Sequence, residues 1–102
     1  MIDFDYKKTE NFLKCTFKGR MGADNAQELS KQIQDKIQEI SAEGLKVNFD
    51  LKDVDYIASS FIRICVITAK HLAAGSFSIS KTNPMIKKVF KIAGLDEMLN
   101  VS

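Results

Sequence analysis

With 102 residues, 45% of them hydrophobic and 27% charged, the chain has the size and balance of one globular domain (1–102) that folds without metal or disulfide staples. A formal net charge of +2 is too small to argue for capture of nucleic acid or an anionic membrane. No stretch approaches the roughly 20 apolar residues that cross a bilayer. The opening MIDFDYKKTE carries acids early and no basic segment leading into an apolar run, so neither direct membrane insertion nor a secretory signal is expected.

Ile2, Phe4 and Tyr6 alternate with polar residues, and Leu13, Cys15 and Phe17 do so again after the polar stretch Lys8-Thr9-Glu10-Asn11. Two half-buried strands joined as a hairpin follow, with Gly19 ending the second. Ala26, Leu29, Ile33, Ile37 and Ile40 recur at spacings of three and four, which predicts an amphipathic helix capped by Asp24 or Asn25 and stopped by Gly44. Leu45, Val47, Phe49 and Leu51 predict a third strand, and residues 53–58 an extended connection.

Ser59 and Ser60 open a second helical pattern whose main stripe is Ile62, Cys65, Val66, Ala69, Leu72 and Ala73. Phe61, Ile64 and Ile67 add apolar surface on another side, more circumference than one core contact requires. Gly75 ends this helix and residues 77–79 make a short strand. Asn83-Pro84 then supplies a capping residue and an N1 proline for a last helix with Ile86, Val89, Phe90 and Ala93 inward and Lys87, Lys88 and Lys91 outward. Gly94 stops it, and residues 95–99 read as a terminal turn.

The order β-β-α-β-α-β-α implies parallel crossovers: an α/β fold with a mixed four-stranded sheet, helices mainly on one face and the hairpin as an antiparallel edge. Ile33, Ile37, Val47, Phe49, Ile62, Val66, Val89 and Phe90 are the expected core. Cys15 and Cys65, in a predicted strand and a predicted helix, read as buried hydrophobes of a reduced, cytoplasmic compartment.

The chemistry of catalysis is missing from the pattern. The chain has no glycine-rich phosphate loop, no HExxH and no Cys/His ligand cluster, so no metal or cofactor is expected. His71 has no carboxylate–serine arrangement near it, and Asp50, Asp53 and Asp55 fit a solvated strand end. Ser59 and Ser60 leave two readings open: helix caps, each worth about 1 kcal/mol, or phosphate acceptors beside a positive helix end. Phe61 and Ile64 are core, contact surface, or both. The lysines of the last helix read as a solvated face.

Three local patterns, in this order, resemble the STAS domain family. Gly19-Arg20-Met21 followed by Asp24-Asn25-Ala26 is similar to the family's turn into its first helix. The stretch DLKDVDYIASSFIR, Asp50 to Arg63, is similar to the signature around its second helix. Asn83-Pro84, Val89-Phe90 and Gly94-Leu95 resemble the end of the domain.

The resemblance covers nearly the whole chain and implies a STAS-like fold and an anti-sigma factor antagonist. Such a protein binds an anti-sigma factor that is a GHKL-type serine kinase, and phosphorylation of the first signature serine releases it. By position that serine is Ser59, less so Ser60, and the implied partner surface is Asp24, Asn25, Ser59, Ser60, Phe61 and Ile64. The usual aspartate before the serine is Ala58 here, an acid common in the preceding turn is Gly22, and the glycine after the serines is Phe61. These departures bear on phosphorylation and not on the fold. They leave room for an alternative, a STAS subunit or scaffold of a lipid-transport complex that is not phosphorylated. A ligand sensor is a third class, without residue-level support.

Overall fold

Alternating apolar residues place four strands in the computed structural model, which describes residues 2–102: β1 (Ile2–Lys7), β2 (Phe12–Met21), β3 (Lys46–Ile57) and β4 (Phe77–Ser80). Three helices intervene or follow: α1 (Ala26–Ile40), α2 (Ser59–Lys70) and α3 (Pro84–Ile92). The sheet order is β1-β2-β3-β4, antiparallel between β1 and β2 and parallel thereafter. This is the mixed four-stranded α/β arrangement expected from the element order.

Leu13, Cys15 and Phe17 of β2, Val47, Phe49 and Leu51 of β3, and Phe77 and Ile79 of β4 all turn toward one core, where Leu29 and Ile33 of α1 and Ile86 and Phe90 of α3 meet them. Burial pushes the Cys15 thiol up to about 12, and Cys65 is likewise a buried free thiol, so both stay protonated.

α2 ends at Lys70 with His71 as its cap, so Leu72 and Ala73 of the expected stripe lie beyond it and Gly75 does not end it. Three other boundaries differ from the sequence reading, each for a local reason. Gly19 does not end β2; at φ +91° it sits where the β2–β3 register shifts, a bulge that needs a residue without Cβ, and pairing resumes to Met21. Residues 53–57 belong to β3, paired with Lys18 to Met21 across that bulge. Gly44 does not stop α1: Ser41 takes the left-handed conformation at φ 47° and donates its N–H to the Ile37 carbonyl at 3.0 Å.

The core face of α2 is also rotated from expectation. Phe61, Ile64, Cys65 and Thr68 are buried, while Ile62 and Val66 are only half-buried. Thr68 hides its polarity by donating its hydroxyl to the Ile64 carbonyl at 2.8 Å, so a polar residue interrupts the stripe in sequence but not in space. The surplus apolar circumference of α2 is explained by its position, because it contacts α1 as well as the sheet core. On α3, Val89 is 39% exposed and Ala93 is exposed, so neither belongs to the buried core.

The sheet face away from the helices is polar. Asp50, 4% exposed, lies there with Lys14 Nζ at 3.3 Å, Lys81 Nζ at 3.6 Å and the Lys52 N–H at 2.9 Å. Burial alone would raise its pKa, but the Lys52 N–H and the two ammonium groups outweigh it and hold the carboxyl below its ordinary 3.8. Beside it Asn48 donates to Ser78 Oγ at 2.9 Å and accepts from Ser80 Oγ at 3.2 Å.

Two outcomes follow from this packing. Phe61→Ala and Phe90→Ala should each lower stability by about 3–5 kcal/mol, while Val89→Ala should cost no more than ~0.5 kcal/mol. Urea midpoints read the difference, and a parental midpoint for Phe61→Ala would remove it from the core.

The second outcome concerns acid. A carboxyl with a lowered folded pKa contributes fully above its unfolded value, and that contribution is lost as pH falls through the folded one. Stability should therefore drop once pH falls below the ordinary 3.8 of Asp50, and less steeply in Asp50→Asn. Identical acid slopes in the two proteins would mean that the Lys14 and Lys81 contacts do not form.

Candidate functional site

The C-terminal end of β3 brings the sequence-predicted residues together. Ile57 pairs with Met21 at the end of β2, and the Ala58 N–H donates to the Met21 carbonyl at 2.8 Å. From these paired ends one chain enters the 3-10 turn Ala23–Asn25 and the other enters α2, and the two contact each other. Strand ends meeting helix starts form the crevice where α/β folds usually place function.

Ser59 and Ser60 are not the caps that a serine at a helix start suggests. The capping position is Ala58, which offers no side-chain acceptor, and Ser59 and Ser60 are the first two helical residues. Ser59 is exposed. Ser60 Oγ is enclosed and has no protein partner. The first turn of α2 carries no acidic residue of its own to offset the positive end of the helix dipole. Arg63, also exposed, lies four residues beyond Ser59 and so on the same helix flank.

The turn opposite shows the same incomplete satisfaction. Asn25 occupies the capping position of α1 without a cap bond; its Nδ2 donates to the Arg20 carbonyl at 3.4 Å and its enclosed Oδ1 has no partner. Asp24 is exposed. Gly22 has φ −92° and ψ 175°, a conformation open to any residue, but a Cβ there would meet Asp24 Oδ1 at 2.7 Å. The Asp24 carboxylate fills the room that a side chain at residue 22 would need.

Phe61 and Ile64 are not on this surface. Phe61 is fully buried, its ring 5.2 Å from Phe17 in an edge-on contact and 6.2 Å from Phe49, and Ile64 is 5% exposed. Both support the first turn of α2 from beneath. The apolar surface at this end comes from residues the sequence reading did not assign to it. Tyr56 is 43% exposed under the Arg20 guanidinium, 4.3 Å above the ring centre, and faces a groove shared with Met85 and Val89. The signal for Tyr56 was the adjacent pair Tyr56-Ile57, which cannot both face the core of one strand.

Among the described residues no group of three or more His, Cys, Asp and Glu is placed to hold a metal ion, and no helix is long and apolar enough to cross a membrane. His71 lies just past the last residue of α2, at the opposite end from Ser59.

A β-β-α-β-α-β-α domain with an exposed serine opening the helix after β3 belongs to a recognisable class of α/β module. The family model described as STAS domain matches residues 3–102, and the chain belongs to that family. It is similar to the anti-sigma-B factor antagonist of Bacillus subtilis (strain 168), 25% identical over 103 residues that span 99% of this chain and 91% of that protein.

Solved structures share the fold. An anti-sigma-factor antagonist (STAS) domain protein from Planctomyces limnophilus superposes with a TM-score of 0.84 at 20% identity, over 99% of this chain and 87% of that one. The Bacillus cell fate determinant SpoIIAA in its phosphorylated form gives 0.69 at 13% identity, over 100% and 91%.

The empty capping position makes a sharp expectation. Ser59→Ala should leave thermal stability unchanged, whereas Ala58→Asp, which adds the missing acceptor, should raise it by about 1 kcal/mol, roughly 4–8 °C in Tm for a chain of this size. A large loss in Ser59→Ala would return Ser59 to a structural role.

Proposed function

We propose that the chain is an anti-sigma factor antagonist-like regulatory protein of the cytoplasm that binds an anti-sigma factor serine kinase of the GHKL type and is released by phosphorylation of Ser59. The observation that carries this reading is the Ser59 hydroxyl. It is exposed at the first position of α2, and it takes no part in capping the helix. The similarity to an anti-sigma-B factor antagonist and to SpoIIAA, a protein solved in a phosphorylated form, supports the same class of role.

In the transfer, Ser59 Oγ forms a bond to the γ-phosphorus of ATP as the bond to ADP breaks, and the serine proton passes to a base. Ala58 and Gly22 supply no carboxylate here, so the base and the metal ligands come from the kinase. The product carries about −1.5 to −2 charges. The free α2 dipole and Arg63 one turn on stabilise it on the protein itself. A partner packed over Asp24, Asn25, Ser59 and Ser60 would have to strip water from that phosphate, and it lets go.

A second reading, a STAS subunit of a lipid-transport complex that does not switch, is favoured by the same missing acids at Ala58 and Gly22. Recovery of a serine kinase from the native host supports the first reading, and recovery of an ATP-binding transporter subunit supports the second.

Against the recovered kinase, Ser59→Asp should bind about tenfold more weakly, ~1.4 kcal/mol, with the parent's melting temperature. Mass spectrometry after incubation with kinase and ATP should place the phosphate on Ser59, faster in Ala58→Asp. Unchanged affinity together with no phosphate on Ser59 would dispose of the switch.

A further inference from the structure

Nine residues of α3 divide into three flanks. Ile86 and Phe90 are buried. Met85, Val89 and Ile92, spaced by four and three, form an outer apolar flank that is 80%, 39% and 76% exposed. After the opening Pro84, Lys87, Lys88 and Lys91 make up the rest, and α3 contains no acid. Lys88 lies three residues after Met85 and four before Ile92, so it borders the apolar flank along its length.

None of the three lysines forms an ion pair among the described residues. The other wall is the end of β3, and between them runs a groove of about 210 Å³ lined by Asp55, Tyr56, Ile57, Met85, Ile86 and Val89. Tyr56 is held in place by Arg20 stacked over its ring.

We infer that this groove is a docking surface for an amphipathic, acidic helix of a partner protein. An apolar ridge bordered by Lys88, on a helix whose three lysines are unpaired and which carries no acid, matches a helix with aliphatic residues on one flank and glutamate or aspartate on the next. The sequence reading takes these lysines as a solvated face; they are exposed, and so is the apolar flank that Lys88 borders. Other occupants fit less well. A concave site suits an inserted side chain better than a flat lipid surface, and Asp55 in its wall calls for a neutral residue of the docked helix at that point. A second copy offers α1 as its long helix, but four of its five charges are already spent in the Lys31–Asp35 and Lys36–Glu39 pairs, which leaves only Glu28 to meet the lysines, and its apolar residues Leu29 and Ile33 are buried in its own core. The inference goes beyond the Ser59 reading and needs no phosphate.

The test uses the whole chain, labelled with 15N, and two synthetic helical peptides with the same leucine ridge. One carries glutamate and the other lysine at the flanking positions. The glutamate peptide should shift the amides of Tyr56, Met85, Val89 and Ile92, and the lysine peptide should not. Lys88→Glu should weaken binding about tenfold, rising salt should weaken it in the parent, and Met85→Ser combined with Ile92→Ser should abolish it. All these positions are exposed, so melting temperatures should stay at the parent value; if the double serine variant melts early, Lys88→Glu alone decides.

Equal responses to the two peptides, or none from either, would overturn the inference. So would binding of phosphatidylglycerol vesicles, or self-association in sedimentation, that the same substitutions remove. No readout involves Ser59, so a failure here leaves the kinase reading standing, and the reverse holds.

Discussion

The packing of one aromatic ring against the middle of the sheet fixes the geometry of the whole site end. Phe61 meets Phe17 edge-on at 5.2 Å and lies 6.2 Å from Phe49, which in turn contacts Phe77 at 4.8 Å, so four rings join β2, β3, β4 and α2. Edge-to-face pairs of this kind add about 0.5–1.5 kcal/mol each beyond the area they bury. A close-packed interior does not let the first turn of α2 rotate about its axis. Ser59, two residues earlier and therefore about 200° around the helix, is driven outward by the same contact that draws Phe61 in.

The two ends of the polar inventory are treated differently. On the uncovered sheet face Asp50 and Asn48 are buried, yet each is met by specific partners, two lysines and a backbone N–H for one and two serine hydroxyls for the other. Such groups are tolerated because their hydrogen-bonding capacity is used. Lys81 even adopts φ 59°, where ordinary side chains are uncommon, at the position from which it reaches Asp50. The enclosed groups without partners, Asn25 Oδ1 and Ser60 Oγ, both fall where the 3-10 turn meets α2. Satisfied buried polar groups lie in the sheet, and unmet polar capacity in the region proposed to bind.

The site was legible in part. Ser59, Ser60, Asp24 and Asn25 were singled out from pattern and resemblance, and β-strand pairing does bring their two segments together. Phe61 and Ile64 were legible only as apolar. Nothing in their spacing says whether an aromatic at a helix start faces a sheet or a partner, since α2 is apolar on more than one side. Gly22 read as a missing acid; in space a side chain there would need the exposed Asp24 carboxylate to swing aside.

What the sequence determined by itself was the element order and type, because periods of two and of three to four are local properties of strands and helices, and Asn83-Pro84 caps α3 through the bond from the Ile86 N–H to Asn83 Oδ1 as those residue types require. Only the tertiary structure decided where those elements face. The bulge at Gly19 carried β2 and β3 on past their apparent ends. Contact with both the sheet and α1 chose the buried side of α2, and the groove beside Tyr56 left Val89 outside the core. The last two are choices between faces of similar apolarity, which local spacing leaves equal and which only the shape of the neighbouring element resolves.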